Sequence, residues 1–126
     1  MRRSDQRRDA VFACYQRDVT GRPLDELIAD SRPFTKELAA GVEARRDQLD
    51  ELIAGHARGW ELDRIAPLER NVMRVALYEM EHSDDVPTEV AIDEAVEASK
   101  ELCSAEAPGF VNGILGTVHR GRVAPG

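Results

Sequence analysis

The chain has 126 residues, of which 42% are hydrophobic and 33% charged, and carries a formal net charge of -7. That length fits a single domain, and that balance belongs to a folded globular protein rather than a disordered or fibrous one. No run approaches the roughly 18 apolar residues of a membrane span. The polar N-terminus lacks the apolar core of a signal peptide, so the chain is expected to be cytoplasmic. Its two cysteines, Cys14 and Cys103, lie far apart with no CxxC and no histidine at metal-ligand spacing, and are expected as reduced core thiols.

Aromatic residues make up only 5% of the chain, and β-branched residues are scattered among Ala, Leu, Glu and Arg. Helix is therefore favoured over strand. Ser4 is a good N-cap for a first helix with Asp5 in its first turn. Val11, Phe12, Cys14, Tyr15 and Val19 follow at three- and four-residue steps, and the TGRP at Thr20–Pro23 ends it. Leu24–Ser31 makes a brief second helix. Ser31 can cap a third, with Pro33 in its first turn and a stripe of Phe34, Leu38, Val42, Leu49, Leu52 and Ile53 ending near Gly55 or Gly59. Pro67 opens a fourth helix that is apolar on most sides to about His82, the pattern of a helix at the centre of a bundle. From Thr88, Ile92, Ala95, Val96, Ser99, Leu102 and Cys103 recur with helical period. Pro108 opens a last short helix in which Gly109, Gly113 and Gly116 share a face. Interior glycine costs about 1 kcal/mol against alanine, so a closely packed neighbouring backbone is expected there. The fold class is all-α: a compact bundle of six or seven helices in a single domain. Residues 1–6 are expected as a short basic arm and residues 117–126 as a flexible tail.

Little here supports catalysis. His56, His82 and His119 lie on different elements, and neither a metal motif nor a nucleophile motif nor a glycine-rich phosphate loop is present. No cofactor is expected. Arg70 and Arg74, one turn apart in the fourth helix, are expected to pair with acids of a neighbouring helix. Glu69 is either an exposed residue favoured by the helix dipole or a partner contact.

One feature resists a bland account. Arg2, Arg3, Arg7 and Arg8 fall within the first eight residues of an acidic chain. Arginine grips phosphate bidentately, and Tyr15 and Gln16 on the same helix would suit RNA. Terminal arginines are also commonly just solvated, and Asp5 and Asp9 dilute the charge. Residue types alone leave both readings open.

The motifs RRDAVFACYQRDVTG, FTKELAAGV leading to LDELI, GWELDRIAPLERNVMRVALYEM, DVPTEVAIDEAVEASKEL and PGFVNGILG occur in this order from Arg7 to Gly116. In that order they resemble the NusB family of bacterial transcription antitermination factors. The resemblance implies two packed helical subdomains and a non-enzymatic adaptor. That adaptor would pair with ribosomal protein NusE, bind boxA-type single-stranded RNA, join the antitermination complex on RNA polymerase and support transcription of ribosomal RNA operons. By position, it assigns RNA contacts to Arg3, Arg7, Arg8, Tyr15 and Gln16, and to a second segment with Glu106, Gly109 and Phe110. Phe110 reads equally as core. Contacts with NusE fall to Glu69, with Tyr78 and Glu79 further along the same helix.

The arginine arm departs from the family by being short and interrupted by Ser4 and Asp5. Fewer phosphate contacts mean weaker and less salt-sensitive binding, since log K on single strands falls by about 0.7 per log salt for each contact. Family members are monomers or homodimers, and a dimer would cover the RNA face. Two other readings compete: a protein-only interaction module, and the RNA-binding part of an RNA methyltransferase, for which a chain ending at Gly126 leaves no room for a cofactor domain.

Overall fold

The computed structural model describes residues 2–57, 59 and 61–123, the last two by their backbone only. Among these, the chain forms seven α-helices and no strand. They are α1 (Arg3–Thr20), α2 (Leu24–Leu27), α3 (Pro33–Ala44), α4 (Arg46–His56), α5 (Pro67–His82), α6 (Thr88–Leu102) and α7 (Ala107–Val123), with a 3-10 turn at Leu62–Arg64. Helices α1, α2 and α3 pack among themselves, α4 to α7 do likewise, and α5 touches both groups. None of these helices is long and apolar enough to cross a membrane.

The expectation for α5 holds. Val72, Met73, Val75, Ala76 and Leu77 are buried, and so are Asn71, Arg74 and Glu79. A helix buried on nearly every side must bring its polar residues inside with it, and each is then obliged to find a partner. Among the described residues no buried side-chain nitrogen or oxygen lacks a hydrogen bond.

Several boundaries differ from the sequence reading. Neither Ser4 nor Ser31 caps a helix, because α1 and α3 begin directly after the extended residues Arg2 and Arg32, which make no side-chain cap. The expected arm is therefore helical from Arg3 onward, and the Ser4 hydroxyl donates to Glu94 Oε1 at 2.8 Å instead. The third helix is two helices. It breaks at Arg45 (φ -118°, ψ 19°), whose N–H is shared between Gly41 and Val42 carbonyls. The run Glu43–Gln48 holds no large apolar anchor, so α4 is free to re-aim Leu49 and Ile53 into the core.

Helix α7 continues through most of the expected tail, because Val111, Ile114, Leu115 and Val118 form a buried stripe. Residues 124–126 and Met1 of the expected arm lie outside the described residues. The glycines of α7 do not mark a close approach. Added Cβ atoms at Gly109 and Gly113 would meet nothing, and one at Gly116 would meet only the Arg120 side chain. Phe12 and Val19, expected in the stripe of α1, are exposed.

The close approach lies elsewhere. Buried Gly41 of α3 faces the Tyr78 ring so tightly that a Cβ there would overlap it. Gly41→Ala should displace that ring and lower stability by about 1–3 kcal/mol, read as an earlier urea midpoint with an unchanged slope.

Candidate nucleic-acid interface

The first two turns of α1 place Arg3, Ser4, Arg7 and Arg8 toward the end of α5 and the length of α6. All three arginines carry carboxylate partners there, but the partners differ in kind. Arg7 is only 9% exposed. Its Nε donates to both Glu79 oxygens at 2.8 and 3.0 Å and its Nη2 donates to Oε2 at 2.6 Å. Nη1 also lies 3.6 Å from Glu94. Burial would lower the Arg7 pKa, and the Glu79 carboxylate more than offsets this, so the net shift is upward and Arg7 stays charged.

Arg8 and Arg3 are paired at the surface. Arg8 Nε donates to Glu101 Oε2 at 2.7 Å and Nη1 to the Ser4 carbonyl at 3.1 Å. Arg3 Nη1 donates to Asp85 Oδ2 at 3.0 Å, and its guanidinium stands 4.6 Å from the Phe34 ring centre. Exposed pairs of this kind are worth about 0–1 kcal/mol, so a phosphate can replace either carboxylate. It cannot readily replace Glu79.

Gln16 is exposed and Tyr15 half-buried on the same helix. In the second segment, Glu106 and Gly109 are exposed, while Phe110 is half-buried and packed against the core. Glu106 and Phe110 border a groove whose walls include Arg64, Ile65, Glu69 and Ser104, whereas Gly109 borders a separate one beside His56 and Gly113. Ser104 Oγ donates to Glu69 Oε1 at 3.4 Å. Glu101 and Ser104 are three residues apart, so the last turn of α6 and the residues after it connect the α1 arginines to the groove at the start of α7.

The three residues assigned to NusE do not form one patch. Glu69 is half-buried at the groove. Tyr78 points to α3, where it covers Gly41, stacks on His82 at 4.7 Å and sits under Arg45. Glu79 is 1% exposed and turned inward onto Arg7, which corrects its placement on the surface. Residues 69, 78 and 79 of one helix face different sides because about 3.6 residues complete a turn.

The sequence reading missed the acid that serves Arg70 and Arg74. Asp18, near the end of α1, accepts from Arg70 Nε at 3.0 Å, Asn71 Nδ2 at 3.0 Å and Arg74 Nη1 at 2.9 Å, and pairs with Arg46 at 3.3 Å. Arg74 also forks onto Asp50 at 2.7 and 2.9 Å. Burial would raise the Asp18 pKa, but its hydrogen bonds with Asn71 and Arg70, together with the charge of Arg74, hold it below the usual carboxylate range. Burial pushes the Cys14 thiol up to about 12 and that of Cys103 to about 11. Both therefore stay thiols at neutral pH. Among the described residues no cluster of His, Cys, Asp and Glu could hold a metal ion.

The described residues thus form an all-helical bundle with surface-paired arginines on its first helix and a groove at the start of its last. The profile described as the NusB family matches residues 4–120. The chain is 43% identical over 122 residues to the transcription antitermination protein NusB of Rubrobacter xylanophilus, covering 91% of this chain and 88% of that one. Its fold superposes on T. maritima NusB with a TM-score of 0.87 at 27% identity, over 95% and 92% of the two chains. It also superposes, with a TM-score of 0.83 at 22% identity over 94% and 96%, on a crystal structure of antitermination factors NusB and NusE in complex with dsRNA. The chain belongs to the NusB family of transcription antitermination factors, which are not enzymes.

Two stability contrasts follow from the geometry. Arg7→Ala leaves Glu79 buried and unpaired and should cost about 3–5 kcal/mol, whereas Arg8→Ala should cost under about 1 kcal/mol, both measured by urea denaturation. Asp18→Asn should cost about 1–3 kcal/mol by removing the carboxylate that Arg70 and Arg74 share, with Asp50 still holding Arg74. Because the folded pKa of Asp18 is depressed, its contribution is present above the ordinary aspartate pKa of about 3.9 and is lost as pH falls through the folded value. Acid titration of unfolding should therefore show wild type and Asp18→Asn converging at low pH.

Proposed function

We propose that this chain binds boxA-type RNA jointly with NusE, and that the assembly joins RNA polymerase to keep transcription of ribosomal RNA operons processive in the cytoplasm. The observation that carries this reading is the exchangeable pairing of Arg3 and Arg8 on α1, in a chain whose net charge is -7. Gln16 and Tyr15 continue the RNA surface along α1, and Glu106, Gly109 and Phe110 extend it at the start of α7. Arg7 contributes indirectly, by fixing α1 against α5 so that Arg3 and Arg8 are presented in register. Glu69 at the groove faces NusE, and Tyr78 acts through the α3–α5 packing.

The acidic remainder of the surface repels nucleic acid, so productive binding is confined to these few groups. NusE then supplies the additional contacts that a short arginine element lacks. A second copy of the chain covering the same face would hold it closed until RNA or NusE arrives.

The carboxylate partners on every described N-terminal arginine favour a second reading, a protein-only adaptor in which these side chains merely brace the bundle. Fluorescence anisotropy with a boxA-type RNA, with and without NusE at two salt concentrations, separates the two. Binding that tightens with NusE, weakens with salt and drops in Arg3→Ala/Arg8→Ala is expected. With about 0.7 log units lost per log salt for each phosphate contact, that double variant should flatten the salt slope by about 1.4. No RNA binding by this chain alone, with binding in the NusE mixture that the double variant leaves unchanged, would support the protein-only adaptor.

A further inference from the structure

On the outer side of α1, Phe12 lies four residues beyond Arg8 and four before Gln16. Its side chain is 40% exposed. A single apolar residue on a surface is ordinary, but the neighbours of Phe12 give it a specific chemical setting. Side chains four apart on a helix stand about 5–6 Å from each other, a separation comparable to that between the phosphate and the base of one nucleotide. Arg8, Phe12 and Gln16 thus present, in order, a bidentate phosphate donor, a stacking face, and a carboxamide able to donate and accept at a base edge.

Asp9 borders the strip, so the group that Phe12 accepts is a base rather than a second phosphate. The guanidinium of Arg8 is occupied by Glu101 at 2.7 Å, and that carboxylate is 58% exposed and free to swing away. An incoming phosphate oxygen reproduces the contact it replaces.

We propose that Arg8, Phe12 and Gln16 form a nucleotide subsite for single-stranded RNA, in which one base stacks on Phe12 and its phosphate displaces Glu101 from Arg8. This rests on the RNA-binding reading above. Phe12 is then a binding residue, and Glu101 is an intramolecular competitor that weakens every RNA complex using Arg8.

The test is anisotropy with a boxA-type RNA and the full chain in the presence of NusE, with circular dichroism to verify folding. Base–aromatic stacking implies that Phe12→Ala weakens binding about 5- to 100-fold, and that Phe12→Leu, which keeps bulk without a π face, weakens it similarly. Phe12→Trp should retain affinity, and its fluorescence should be quenched by RNA beyond the change seen in wild type with its single tryptophan. Glu101→Gln should tighten binding about two- to five-fold, and that gain should vanish in an Arg8→Ala background. Glu97→Gln controls for charge alone, because Glu97 is paired with Lys100 at 3.0 Å rather than with an arginine of α1.

Wild-type affinity in Phe12→Ala alongside weakened binding in Arg8→Ala overturns the subsite and leaves the RNA-binding reading standing. Wild-type affinity in Phe12→Leu overturns the stacking. Equal gains from Glu97→Gln and Glu101→Gln overturn the displacement. No RNA binding by the wild-type protein with NusE overturns the reading, and the subsite with it.

Discussion

Two ionic contacts of opposite polarity hold α1 against α5. Near the start of α1, the cation Arg7 meets the anion Glu79 near the end of α5. Near the end of α1, the anion Asp18 meets the cations Arg70 and Arg74 toward the start of α5. The contacts are eleven residues apart on α1, about 16 Å along its axis. A parallel arrangement would place like charges together, and a slip of one turn would strand a buried charge. Direction and register are therefore fixed by the same five side chains, and the apolar residues between them are packed in consequence.

This constraint also explains why the arginines of α1 serve different ends. Arg7 faces α5 and is consumed by the fold. Arg8, one residue later and about 100° around the helix, faces α6 and keeps an exposed carboxylate. A buried fork is costly to break because the abandoned partner has no water to turn to. A surface pair exchanges freely because either charge is solvated when released. Burial of the partner, more than the number of arginines, divides scaffold from contact surface.

The acidic character of α6 fits the same picture. Asp85 just before it, and Glu94 and Glu101 within it, answer the cations of α1 one after another. Each neutralises a charge that would otherwise attract any polyanion. The first helix is thereby held in place against α6.

The sequence by itself determined the helical class, the buried role of α5 from its all-round apolar pattern, and the family from motifs spanning most of the chain. It also showed that Arg70 and Arg74 would need acids, since two cations in a core helix require them. It did not reveal that one acid, Asp18, serves both, because that residue lies more than fifty positions away and belongs to no periodic pattern. Nor could it tell Arg7 from Arg8, place Glu79 inside, set Phe12 outside, or move the close-packed glycine from α7 to Gly41. Periodicity reports which face of a helix is apolar, and it is read one helix at a time. Which polar group meets which, and which exposed group is left with only an exchangeable partner, depends on how the helices cross, and only the tertiary structure decided that.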